Sequence, residues 1–253
     1  MSFTSYAQNF EDVMLWRALK HISAGFYIDI GAQHPIVDSV SKAFYEHGWR
    51  GMHVEPTGPH VELLRNDRPD EQVIQAVVGD SETPITFYEI PGGGLSTARR
   101  NIAELHARNY ECEVREITVD SVRLETLFEK AGNREIHWMK IDVEGFEKEV
   151  LSGWGGSTVR PWIVIVEATF PNTQIDTFSD WESEIDERGY RLVYRDGLNR
   201  FYLSEKHLNL SACFEFPPNV FDQFQLSGTA TSFTTDLVLA YKAKINEMKE
   251  LKK

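Results

Sequence analysis

The chain has 253 residues, room for one large domain or at most two small ones. Hydrophobic residues make up 42% and charged residues 26%, which suits a packed core and argues against a disordered tail or a collagen-like fibre. Against 26 Lys and Arg stand 39 Asp and Glu, a formal net charge of −13 that repels nucleic-acid phosphates and anionic lipid, so nucleic acid is not expected as a partner.

The first periodic segment, Glu11 to His21, places Val13, Met14, Ala18 and Leu19 at helical spacing. Phe26 to Gly31 then reads as a short buried strand ending at a glycine. Ser39 to His47 reads as a helix stopped by Gly48, and Gly51 to Pro56 as a second strand. A helix from about Pro59 to Asn66 leads to a third strand, Gln72 to Val78, closed by Gly79-Asp80. This alternation implies a parallel sheet with crossover helices on both faces.

Beyond residue 80 the pattern loosens. Ile85 to Ile90 could add a strand, and Pro91 to Thr97, with three consecutive glycines, reads as a flexible loop. Glu135 to Ile141 predicts a strand, and Asp142-Val-Glu-Gly145 leads into a helix from Phe146 to Leu151. Trp162 to Glu167 is the most β-branched run and predicts a central strand. Asp180 to Arg188 looks helical. Tyr190 to Tyr194 and Arg200 to Leu203 flank Asp196-Gly197, a hairpin signal that makes the last strands antiparallel.

A domain over residues 1–205 is expected, then a strap or linker over 206–235 that holds Pro217-Pro218. Residues 236–253 carry Val238, Tyr241, Ile245 and Met248 at 3, 4, 3 spacing, an amphipathic helix expected to dock on its own domain, with the start of a coiled coil as the alternative. Through it an oligomer or an adjoining module could attach. Cys112 and Cys213 lie far apart without a CxxC, so neither a disulfide framework nor a thiolate zinc site is indicated. Met1 to Gln8 lack the pattern of a secretory signal, and no run approaches 18 apolar residues, so a soluble cytoplasmic protein is expected.

In an open parallel sheet, ligands bind beyond the carboxyl ends of the strands. Those ends offer Asp29 and Gly31, Glu55, Asp80, Asp142 with Glu144, and Glu167. A dinucleotide would need Gly-x-Gly-x-x-Gly after the first strand, whereas Asp29-Ile-Gly31-Ala-Gln-His-Pro35 holds one glycine. A nicotinamide dehydrogenase is therefore disfavoured. Glu55 falls near the offset at which an acidic residue accepts ribose hydroxyls, so a nucleoside without a pyrophosphate still fits, and the missing glycines favour S-adenosylmethionine over NAD. The P-loop pattern is absent.

Phe26-Tyr-Ile-Asp-Ile-Gly-Ala32, Gly48-Trp-Arg-Gly51 with Val54-Glu-Pro56, and Lys140-Ile-Asp-Val-Glu-Gly-Phe-Glu147 resemble the FkbM-type S-adenosylmethionine-dependent methyltransferases. Ser5 to Asp12 is similar to the entry motif of a subgroup found beside glycosyltransferases, so the resemblance spans about residues 5 to 205. It implies an α/β, Rossmann-like methyltransferase fold: a mostly parallel seven-stranded sheet with an antiparallel last strand. It also implies O-methylation, commonly of a sugar hydroxyl or a polyketide oxygen, with a sugar or glycan acceptor as the expected partner. The family's cofactor role maps onto Asp29, Gly31, Ala32, Glu55 and Pro56, with Asp80 and Ser81 near the adenine edge. His34-Pro35 stands where many methyltransferases have a further glycine.

Removing the proton of an alcohol needs a positioned base or a metal. Asp142 is expected near the transferable methyl group, with Glu144 or His34 as proton acceptor and Lys140 sharing the face of Asp142. Glu144 could equally serve as a carboxylate near a helix N-terminus, and Lys140 as a paired lysine. Asp142 and Glu167 could form an oxygen-ligand magnesium site, although a site without metal is the favoured reading. Gln8, Asn9 and Asp12 could cap the amino-acid end of the cofactor or simply cap a helix. His53 reads as a packing residue. The loop at Gly92 to Thr97 could be a lid, with Arg99 and Arg100 binding an acidic group. A catalytically inactive cofactor-binding or scaffolding module is the alternative function.

Overall fold

The computed structural model describes residues 3–231 and 235–250. Seven strands form the main sheet: β1 (Phe26–Ile30), β2 (Arg50–Val54), β3 (Gln72–Ile74), β4 (Trp138–Ile141), β5 (Ile163–Glu167), β6 (Tyr190–Arg195) and β7 (Asn199–Ser204). Their spatial order is β6-β7-β5-β4-β1-β2-β3. The pairs among β1 to β5 are parallel, and β7 runs antiparallel to both β5 and β6. The fold is thus the α/β Rossmann-like one, and β7, the last strand of this sheet along the chain, is the antiparallel one.

The two-residue period of each strand divides the core into two layers. Phe26, Ile28 and Ile30 of β1, Met139 and Ile141 of β4, and Val164 and Val166 of β5 face one layer. There they meet α5 (Leu124–Ala131), α6 (Glu147–Ser152) and α7 (Glu182–Glu187) through Leu127, Phe128, Val150, Leu151 and Ile185. Tyr27, Trp138, Ile163 and Ile165 face the other layer. Met14 and Leu15 of α1 (Glu11–Leu19) and Phe44 of α2 (Val40–Glu46) cover it. Helical turns from Glu205 to Phe214, kinked at His207, add Leu210 and Phe214 to the same layer.

Two sequence expectations shift. The expected strand Gln72 to Val78 is two strands: β3 stops at Ile74, and Val77–Gly79 leaves the sheet to pair in parallel with Ser121–Arg123. Side-chain alternation continues across the break, Ala76 and Val78 packing in the main core and Val77 with Phe87 and Val119. The pattern therefore looks like one uninterrupted strand. The loose region also holds α4 (Arg100–Tyr110) and an antiparallel pair, Ile85–Glu89 with Arg115–Val119. Between β2 and β3 runs α3 (Gly58–Asp67), and α8 (Thr235–Glu250) ends the described chain.

Candidate active site

The order of the sheet reverses between β1 and β4, so their carboxyl ends open a crevice. A cavity of about 980 Å³ fills it, the upper part of the range for small-molecule sites. Its floor is a tight approach of two loops. Gly31 has φ +77, and a Cβ built there would lie 1.7 Å from the carbonyl oxygen of Asp142. Only glycine satisfies both the dihedral and the space. The Gly31 N–H donates to Val54 O at 2.9 Å and the Asp142 N–H to Ile30 O at 3.1 Å, so three strand ends are tied together.

One step back from those ends, the parallel register sets Asp29 of β1 opposite His53 of β2 and Lys140 of β4. Asp29 accepts a hydrogen bond from Ser41 Oγ at 2.6 Å. Arg68 donates to the same Oγ at 2.7 Å and to Ser39 Oγ and Pro35 O. His53 Nε2 contacts Glu71 at 2.7 Å, and Tyr27 donates its hydroxyl to the other Glu71 oxygen. Arg68 is fully buried, so this network fixes Asp29 from beneath. His53 is the packing residue the sequence suggested. Arg68, Ser41 and Glu71 carried no motif signal.

Glu55, at the exit of β2, is 4% exposed. Its Oε1 accepts from the Thr57 N–H at 2.9 Å and the Thr57 hydroxyl at 2.5 Å. Its Oε2 accepts from the Gln33 N–H at 3.0 Å. A carboxylate oxygen offers two lone pairs, so Oε2 keeps one acceptor position for a hydroxyl.

At the exits of β4 and β5 lies an acidic group. Asp142, Glu144 and Glu167 bring one carboxylate oxygen each to within 4.8 Å of one another. Lys140 pairs with Asp142. Burial alone would lower the Lys140 ammonium, but Asp142, Glu11 and Asp29 outweigh it and hold its pKa raised. Burial, reinforced by Asp142 and Glu147, pushes the Glu144 carboxyl well above its usual range. Burial, with Asp142 and Glu144, does the same to Glu167. Glu11 is pushed up to about 7, mainly by burial, against the pull of Lys140.

Of the residues expected from the sequence, Gln8, Asp29, Gly31, Ala32 and His34 line the cavity. So do Glu55, Pro56, Lys140, Asp142, Glu144 and Glu167. Asp80 and Ser81 do not. They follow Gly79 in the strand that has already left the sheet, and the Ser81 carbonyl accepts from Ser121. Their place is taken by Ala76, Val77 and Val78, which form an apolar wall with Phe87 and Phe146. The His34 Nδ1 accepts the N–H groups of Ile36 and Val37, both at 3.0 Å. Because Nδ1 accepts, the neutral ring carries its proton on Nε2, and burial lowers the His34 pKa.

Asp12 is buried, accepting from Ser5 Oγ and the N–H groups of Tyr6 and Ala7. It holds the N-terminal segment. The loop from Gly92 to Ser96 lines the cavity, as a lid would. Arg99 and Arg100 do not reach an acidic ligand there. Arg99 donates to Gly145 O and pairs with Glu149, and Arg100 pairs with Glu116. The cavity also concentrates unusual backbone. Gln33, Asp38, Glu144 and Asn172, four of the seven non-glycine residues with positive φ among those described, line it.

A sheet with this order, a tight glycine turn after β1 and an acidic residue after β2 define a nucleoside-binding Rossmann-like protein. The Methyltransferase FkbM domain matches residues 29–192. The chain belongs to the FkbM methyltransferase family, whose methyl donor is S-adenosylmethionine. Similar solved structures include a TehB-like SAM-dependent methyltransferase from Corynebacterium glutamicum, at 7% identity and TM-score 0.42 over 76% of this chain and 88% of that one. Another is a putative S-adenosyl-L-methionine-dependent methyltransferase from Methanococcus maripaludis, at 12% identity and TM-score 0.39 over 76% and 84%. A comparison with curated proteins gave no significant match.

Proposed function

We propose that the chain is an O-methyltransferase that acts on a sugar hydroxyl in glycan or glycoconjugate assembly. The observation that carries this reading is the pairing of Asp142 with Lys140 beside Glu144, a carboxyl held above its usual range, in one crevice. A carboxylate with a raised pKa is the stronger base once ionised, which suits it to take a proton from an alcohol.

S-adenosylmethionine, when bound, supplies the methyl group and the leaving sulfide. The residues present fit it. Glu55 keeps an acceptor position for a ribose hydroxyl, and Ala76, Val77, Val78 and Phe146 give an apolar wall suited to an adenine face. Asp29, Gly31 and Ala32 line the cavity at the turn after β1, and Gln8 lines it as well. Asp142 orients the acceptor, Glu144 takes its proton, and His34 donates from Nε2 to an acceptor oxygen. Asn172, Thr173 and Gln174 also line the cavity and can hydrogen-bond the remaining hydroxyls of a sugar.

A methyltransferase domain over residues 1–205, a strap over 206–235 and a terminal helix over 236–253 complete the proposal. In α8, Leu239, Tyr241, Ile245 and Met248 are each at least half exposed, which favours attachment of a second copy or an adjoining module. The unpaired Cys112 and Cys213 suit the cytoplasm, and no helix among the described residues is long and apolar enough to cross a membrane.

The test is incubation with S-adenosylmethionine and a panel of nucleotide sugars, glycosides, amines and carboxylates, read by mass spectrometry. Gain of a methyl group on a glycoside hydroxyl is the expected result. Methylation confined to amines or carboxylates would overturn the acceptor class. Tight binding of the donor without turnover on any acceptor would favour the scaffolding alternative.

A further inference from the structure

We propose that Asp142, Glu144 and Glu167 form a binding site for one divalent cation of the hard, oxygen-preferring class, magnesium or manganese. The ligands come from two adjacent strands. Asp142 and Glu144 lie on the loop after β4, and Glu167 is the last residue of β5. One oxygen from each falls within 4.8 Å of the others. Oxygens at 2.0–2.6 Å on opposite sides of such an ion are about 4–5 Å apart, so a single cation spans this group with little movement.

The second observation is independent of the clustering. Glu167 is 6% exposed, and its Oε2 is buried with no hydrogen-bond partner. A buried carboxylate oxygen without a donor is costly, and native structures leave few of them. Lys140 donates to Asp142 and makes no hydrogen bond to this oxygen. Three carboxylates and one ammonium leave an excess of two negative charges when all are ionised, which a divalent cation neutralises.

The loop that carries two of the ligands is held in place. Glu144 and Gly145 have consecutive positive φ, 53 and 93. Thr97 Oγ1 donates to the Glu144 carbonyl at 2.8 Å and Arg99 Nε to the Gly145 carbonyl at 3.1 Å. A loop backbone fixed before the ion arrives spends less entropy in presenting its ligands to it. The donor set contains oxygen alone, which selects magnesium or manganese over zinc or copper.

With the ion bound, Glu144 serves as a ligand and the ion takes over activation of the acceptor hydroxyl; that use of the ion rests on the methyltransferase reading. Binding of the ion does not. Chelator-treated protein is therefore titrated with Mn²⁺, free ion being read by electron paramagnetic resonance, and Mg²⁺ is then added as competitor. S-adenosylmethionine is titrated in parallel by calorimetry.

The expected result is one saturable Mn²⁺ site per chain that Mg²⁺ displaces. Glu167→Gln and Glu144→Gln should each weaken it by about tenfold or more, with circular dichroism unchanged. Glu144 is only partly buried, so its variant folds even where the change at Glu167 does not. No saturable site at millimolar Mn²⁺ would overturn the proposal and leave Glu144 and Glu167 sharing a proton. A site indifferent to both substitutions would overturn it as well. In either case the donor titration reports separately on the methyltransferase reading.

Discussion

Glu55 shows how much a single side chain can be asked to do. It holds the turn after β1 through Gln33 and the turn after β2 through Thr57, and retains one acceptor position toward the cavity. Hydrogen bonds to a charged group contribute about 1.5–3 kcal/mol each. Glu55→Ala should therefore weaken S-adenosylmethionine binding by roughly 10- to 100-fold in calorimetry; unchanged affinity would refute its role as ribose acceptor. Asp142→Asn should leave the circular dichroism spectrum intact and lower kcat by about 10²–10⁴-fold, and full activity would remove Asp142 from the reaction. Both residues were legible because each ends an apolar run, where a charge serves the core poorly. Arg68, Ser41 and Glu71 were not. They sit in or beside helices, where polar residues are ordinary, and only the fold turns them toward Asp29.

At the scale of elements, legibility followed burial. The strands with both faces in the core, β1, β4 and β5, stood out as apolar runs bounded by charge or glycine. The pair Ile85–Glu89 with Arg115–Val119 has at least one half-exposed face and mixed composition, so its second strand gave no signal. The break after Ile74 was hidden because alternation continues through it, and that error placed the expected adenine contact at Asp80 and Ser81. The strap after β7 is tied down by one residue of α1. Arg17 pairs with Asp222 through two hydrogen bonds, at 2.7 and 2.6 Å, and donates to the carbonyls of Cys213, Phe216 and Pro217. Further along, Thr231 bonds Asp38 and lines the cavity. Arg17→Ala should cost about 2 kcal/mol of stability and speed proteolysis between residues 215 and 224. Cleavage no faster than in the unsubstituted protein would show that the strap is held without Arg17, by its apolar contacts and by the Gln225 and Ser227 N–H groups bonded to the Phe3 and Ser5 carbonyls.

For the whole molecule, the buried carboxylates set the dependence of stability on pH. Burial pushes Glu11 and Glu147 up to about 7 and Asp12 up to about 6, from ordinary values of 4.5 and 3.8. A carboxyl with a raised pKa in the folded state binds its proton there more tightly than in the unfolded chain. Its stabilising share is therefore present at low pH and is lost as pH rises through the folded value. Three histidines act in the opposite sense. Burial lowers the pKa of His34, His137 and His207, so they disfavour the folded state as pH falls below the ordinary value of 6.5. Over the first unit above that value the unfolded chain still holds part of its histidine protons, so the histidines offset some of the carboxylate loss there. Between pH 6.5 and 8 the net loss should be about 1 kcal/mol, a fall of about two degrees in Tm for a chain of this size. The net charge of −13 adds repulsion of the same sign, so the measurement belongs at about 1 M salt, where the screening length is about 3 Å. Under those conditions the fall should persist, and Glu11→Gln should make it shallower. A Tm that stays level or rises from pH 6.5 to 8 would mean that these carboxylates are ionised in the folded protein at little cost.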